Sequence, residues 1–87
     1  MIPLTFRQLE VFVRAVEAGS FRTCAEQLSI SQVSVGEHIR ALEVQLDCAL
    51  FERRRGNAPI LTHQGEQVFR HAKGILGAAI DLLATFD

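Results

Sequence analysis

Eighty-seven residues, 48% of them hydrophobic, are enough for one domain with a single core, and a chain this short buries only about 60–65% of its unfolded surface. That apolar fraction excludes a disordered segment; no apolar run approaches the roughly 20 residues of a membrane span, and with no basic-headed signal segment the chain is expected to be cytoplasmic. The formal net charge of −1 argues at first against a nucleic-acid partner, but it is the distribution of charge that governs attraction to phosphate at Debye-length range.

Thr5 precedes FRQLEVFVRAVEA, in which Phe6, Leu9, Phe12, Val13 and Val16 recur at helical spacing. Thr5 and Gln8 can form a capping box, and Gly19 ends the segment. Ser20 caps a short second helix, FRTCAEQL, with Phe21, Cys24, Ala25 and Leu28 inward. The connecting AGS and LSIS are too short for anything but tight turns, and Ser31 is the next cap.

In the third helix, Gln32 to Leu46, the inward row is Val35, Ile39, Leu42 and Leu46. Gln32, Val33, Gly36, Glu37 and Arg40 then face outward. Asp47 stands where a helix stop favours glycine in the left-handed region, a conformation that aspartate can adopt at some cost. After Cys48 the period changes. CALFER and PIL flank RRGNA, whose Gly and Asn can turn a short hairpin with a basic tip.

Thr62 caps a final helix, HQGEQVFRHAKGILGAAIDLLATF. One apolar row reads Val68, Ala72, Ile75, Ala79, Leu82, Phe86; a second reads Phe69, Leu76, Ile80, Leu83. Twenty-four residues make a helix about 36 Å long, longer than so small a domain. The apolar surface beyond Lys73 needs a partner, and a second copy joined through the first row supplies one. Burial of both rows within the domain is the plainer alternative.

Charge is unevenly spread. Residues 1–52 carry a balance of −3, whereas residues 53–73 hold Arg53, Arg54, Arg55, Arg70 and Lys73 against Glu66 alone. Three short helices, a hairpin and a long helix match the winged helix-turn-helix plan, mainly α, in which the second helix of the motif enters a major groove. Its capped N-terminus offers backbone N–H groups to phosphate, and an arginine tip suits the backbone or a minor groove. Within such a reading Gln32 can bond adenine N6 and N7, Val33 can touch a thymine methyl, and Glu37 can accept from cytosine N4 or pair with Arg40.

FRQLEVFVRAVEAGSF, AEQLSISQ, IRALE, LFER and LTHQGE, in order from about Leu4 to Ile75, resemble the N-terminal domain of LysR-type transcriptional regulators. The resemblance implies a winged helix-turn-helix over residues 1–62 and a linker helix over residues 63–87 that dimerises. It further implies a ligand-sensing effector domain outside this chain. The partner is then a double-stranded, palindromic operator bound by a homodimer, with a tetramer as an option for a full-length protein. No cofactor is implied for this chain, since a small-molecule inducer would bind the effector domain. DNA-binding candidates are Ser31, Gln32, Val33, Ser34, Gly36, Glu37, Arg40, Arg53, Arg54, Arg55 and Thr62, the last lying near phosphate in the family. The family's recognition helix commonly runs Ser-Gln-Pro and, two residues on, Ser-Arg. Here Val33 replaces the proline, Gly36 the serine and Glu37 the arginine, which puts the operator sequence in question.

Plainer readings stand beside these. Gln32 is otherwise a solvated first-turn residue, Ser31 a cap alone, Glu37 a surface charge, and Arg54 and Arg55 a charged loop. A winged helix used only as a protein-interaction module is the alternative function. An enzyme is not expected, since no glycine-rich phosphate loop, activated nucleophile or carboxylate dyad is apparent. His38, His63 and His71 lack a further partner for metal, and Cys24 and Cys48 are expected to be small buried thiols.

Overall fold

The computed structural model describes residues 2–52 and 59–86. The order is α1 (Phe6–Ala18), α2 (Phe21–Leu28), α3 (Gln32–Leu46), β1 (Phe51–Glu52), β2 (Ile60–Leu61) and α4 (His63–Thr85). This is a mainly helical, winged helix-turn-helix arrangement. The expected hairpin turn, RRGNA, lies outside the described residues.

Local chemistry explains the helix boundaries. Thr5 Oγ1 accepts from the Gln8 N–H at 3.1 Å while Gln8 Oε1 accepts from the Thr5 N–H at 3.0 Å, which closes the capping box. Ser20 accepts from the Thr23 N–H and Ser31 from the Ser34 N–H, each at 3.0 Å. Every one of these bonds satisfies a donor that the first turn of a helix leaves open. The stops are left-handed: Gly19 at φ 78°, Ser29 at φ 56° and Asp47 at φ 52°. Gly19 adopts that region without strain, whereas Ser29 and Asp47 carry a Cβ into it.

The core gathers Leu9, Val11, Phe12, Val13, Ala15, Cys24, Ala25, Val35, Ile39, Leu42, Leu50, Phe51 and Ala72. Helix α1 is its centre and packs against α2, α3 and α4. Being covered on three sides, it buries Val11 and Ala15 as well as the expected row. Phe6, which shares the helical spacing of that row, is 62% exposed at the first position of α1. Leu46 is likewise exposed at 43%, since α3 runs on past the core at its last turn. A chain of edge-on aromatic contacts ties the elements together. Phe12 meets Phe51 at 5.6 Å and Phe69 at 6.5 Å, and Phe21 meets Phe51 at 5.2 Å.

The strands pair antiparallel, Phe51 opposite Leu61 and Glu52 opposite Ile60. Buried Phe51 anchors this pair to the helices. Helix α4 packs on α1 through its first half; Val68, Phe69 and Leu76 lie half-buried against the core and Ala72 lies within it. Every residue from Ile80 to Phe86 is exposed, and the long dimension of the molecule is 45 Å. Among the described residues no helix is long and apolar enough to cross a membrane.

Candidate nucleic-acid interface

Helix α3 divides into two faces. Val35, Ile39 and Leu42 are fully buried, and they fix the opposite side outward. On that side Gln32, Val33, Glu37 and Arg40 are exposed, while Ser34 and Gly36 are half-buried. Val33 is 70% exposed, as is Val44 further along α3. A Cβ built at Gly36 meets nothing within 4 Å, so this position is an opening in the surface and not a packing contact. Among the described residues, Glu37 and Arg40 enter no ion pair. The surface beside α3 at Arg40 continues over Glu43, Val44, Asp47, Cys48 and Ala49.

Two residues of the first turns organise the backbone. Ser31 is exposed and caps α3 through its Oγ. His38 Nδ1 lies 2.7 Å from the Ser34 carbonyl oxygen; a carbonyl only accepts, so this nitrogen carries the proton. His38 is thereby turned along the helix, a role its position alone does not announce.

The wing is held at its base by groups that sequence reading valued too little. Glu43 Oε2 accepts from the Leu50 N–H at 2.9 Å, joining the end of α3 to the strand approach. Thr62 spends all its polar groups locally. Its hydroxyl donates to the Ala49 carbonyl at 2.6 Å and accepts from the Gly65 N–H at 2.9 Å, and its own N–H donates to the Leu50 carbonyl at 3.0 Å. A hydroxyl has one hydrogen. Thr62, expected beside phosphate, therefore has no donor left for one in this arrangement and serves to position the wing against α4. The IRALE and THQGE motifs already contained Glu43 and Gly65, but not their spatial partner, Leu50.

Arg53, Arg54 and Arg55 lie outside the described residues. They follow Glu52 directly in the chain, at the end of β1. The expected dimer row is corrected at one position. Ala72 is 1% exposed and lies in the core of its own protomer, because α4 turns this side onto α1 before it overhangs. Val68 is partly covered in the same way. Ile75, Ala79, Leu82 and Phe86 are not in that core cluster; Ile75, Leu82 and Phe86 are exposed and Ala79 is half-buried. A groove between α1 and α4 is lined by Phe6, Val13, Leu76, Ala79, Ile80 and Leu83.

Cys24 Sγ lies 3.6 Å from the Val11 carbonyl. Burial pushes its thiol above the ordinary value of 9.0, with Arg14 and Arg7 opposing. Cys48 is half-buried and both thiols are free. Among the described residues no group of three His, Cys, Asp or Glu side chains could hold a metal ion.

Comparison with known proteins places this geometry. The family model described as bacterial regulatory helix-turn-helix protein, lysR family, matches residues 6–66. The HTH-type transcriptional regulator CfxR of Cupriavidus necator is 40% identical over 78 residues, covering 90% of this chain and 24% of the relative. The chain spans about a quarter of the length of the curated relatives it matches. Among solved structures, the CbnR DBD–DNA complex superposes with a TM-score of 0.87 at 32% identity, covering 94% of this chain and 93% of that one. The BenM DBD/catB site 1 DNA complex gives 0.89 at 28% identity, covering 95% and 91%. This chain belongs to the lysR family of bacterial regulatory helix-turn-helix proteins.

Proposed function

We propose that this chain is the sequence-specific DNA-binding part of a LysR-type transcriptional regulator, laying α3 in a major groove. The observation that carries the reading is the outward face of α3. It holds exposed Gln32, Val33, Glu37 and Arg40, with two charges that lack ion-pair partners among the described residues. The fold that presents it superposes on domains solved with DNA. Ser31, Ser34 and Gly36 flank that face and complete the proposed contact surface.

Arg53, Arg54 and Arg55 supply the phosphate contacts that a chain of net charge −1 must concentrate in one place. Phosphate contacts release counterions, so each one steepens the fall of affinity with salt by about 0.9 in the log–log slope. Binding of a selected duplex is to be measured across a salt series for the chain and for Arg53→Ala/Arg54→Ala/Arg55→Ala. A slope flatter by about two to three supports the reading. An unchanged slope removes the wing from it, and indifference of the unmodified chain to sequence removes sequence-specific binding.

The chain acts as a homodimer through the second half of α4. Exposed apolar Ile75, Ile80, Leu82, Leu83 and Phe86 on one overhanging helix support this. Two-fold pairing presents two copies of α3 to a palindromic site. No cofactor is assigned to the chain; an inducer is a matter for an effector domain.

A further inference from the structure

We infer that Glu37 is a specificity-determining residue that reads a cytosine, with Val33 reading a thymine within two base pairs of it. The inference rests on the placement of α3 in a major groove proposed above.

Glu37 is exposed on the outward face of α3 and has no ion-pair or hydrogen-bond partner among the described residues. A carboxylate on a surface turned toward phosphates is repelled unless it meets a donor. The floor of the major groove offers donors only at cytosine N4 and adenine N6, and adenine sets its N7 acceptor beside N6. Guanine and thymine offer acceptors at the same depth. An acceptor-only side chain therefore selects cytosine and rejects guanine most strongly.

The neighbours of Glu37 make room for this approach. Gly36 leaves open space beside it, with nothing within 4 Å of a built Cβ. Val33, one turn back on the same row, is 70% exposed. Apolar contact with the C5-methyl of thymine is open to that exposed side chain. Four residues of helix advance about 6 Å, and base pairs are spaced about 3.4 Å apart, so the two side chains fall on neighbouring or next-neighbouring pairs. Along one strand or across the pair, Val33 and Glu37 together specify a thymine and a cytosine at most two steps apart.

The test is selection of binding sites from random duplex by this chain and by Glu37→Ala and Val33→Ala, both at solvent-facing positions. The chain is expected to recover half-sites with an invariant cytosine and a nearby thymine. Replacing that cytosine should weaken binding about tenfold, and Glu37→Ala should reduce the penalty to within about twofold. Deoxyuridine in place of the thymine, which removes only the methyl group, should weaken the unmodified chain but not Val33→Ala. Recovery of a defined site whose base preferences are the same with Glu37→Ala overturns the inference and leaves the proposed function standing. Recovery of no preferred sequence by the unmodified chain overturns both. A thermal midpoint for each variant within a few degrees of the parent establishes that the fold is retained.

Discussion

Gly65, in the first turn of α4, faces the carbonyl of Leu50 so closely that a Cβ there would collide with that oxygen and lie 2.9 Å from Leu61 Cδ2. The Thr62 hydroxyl and N–H bind the same segment at Ala49 and Leu50. Helix α4 thus begins directly on the backbone that leads into the wing. Neither Leu50 oxygen nor α4 backbone can yield without moving a strand.

Gly65→Ala is therefore expected to destabilise the chain by about 2–3 kcal/mol, despite the better helix propensity of alanine. Gly36→Ala and Gly74→Ala, where a Cβ meets nothing within 4 Å, should instead stabilise by about 0.5–1 kcal/mol. Urea unfolding of the three variants checks the sign. A stabilised Gly65→Ala would mean that α4 does not seat on Leu50.

Glu43 fixes the other end of the same segment, its carboxylate accepting from the Leu50 N–H at 2.9 Å. A hydrogen bond to a charged group contributes about 1.5–3 kcal/mol, so Glu43→Ala should lower stability by an amount in that range. Glu43→Gln keeps an acceptor of similar reach and should recover part of it. Equal losses for the two variants would show that charge, not the bond to Leu50, is what matters.

Two helix stops hold non-glycine residues in the left-handed region, Ser29 at φ 56° and Asp47 at φ 52°. Glycine adopts this region freely. Ser29→Gly and Asp47→Gly should each raise stability by about 0.5–1 kcal/mol in chemical denaturation, even though both remove side-chain atoms. Destabilisation by either would reveal a side-chain contact worth more than the backbone relief.

What could be read from the residues follows from how local the physics is. Thr5, Ser20, Ser31 and Thr62 each cap a helix as expected, because a cap is settled by three or four consecutive residues. Asp47 as a left-handed stop was legible for the same reason. The outward face of α3 was legible because Val35, Ile39 and Leu42 have one-sided spacing. Leu46 and Ala72 were misplaced because periodicity gives a face but not where along it the neighbouring helices begin and end. The closed hydrogen-bond set of Thr62 and the tight seat of Gly65 depend on Leu50, twelve and fifteen positions earlier, which no local pattern announces.

Cys24 offers a test of the core that titration can read. Its buried thiol is raised above 9.0, chiefly by burial, so the folded state holds the proton more tightly than the unfolded chain does. That contribution to stability is fully present below the unfolded value and is lost as pH rises through the folded one. Stability should decline as pH climbs past about 9, and Cys24→Ala should weaken the decline. In native protein at neutral pH a thiol reagent should modify half-buried Cys48 well before Cys24. Equal rates would show that the α1–α2 contact opens easily.

The overhang of α4 carries two apolar rows, and a homodimer need not use both. Ile75 and Leu82 belong to one, Ile80 and Leu83 to the other, with Ile80 and Leu83 lining the groove beside Phe6 of α1. All four are exposed in the single chain, from 41% at Ile75 to 73% at Leu83, so charging them leaves the core intact. Ile75→Asp/Leu82→Asp and Ile80→Asp/Leu83→Asp are each expected to fold, and the pair that produces monomer in sedimentation velocity identifies the seam. Loss of the dimer should also weaken binding to a palindromic duplex, because two half-sites are then met independently. Should both variants remain dimers, the second half of α4 is not the interface, and the exposed Phe86 would have no bearing on assembly.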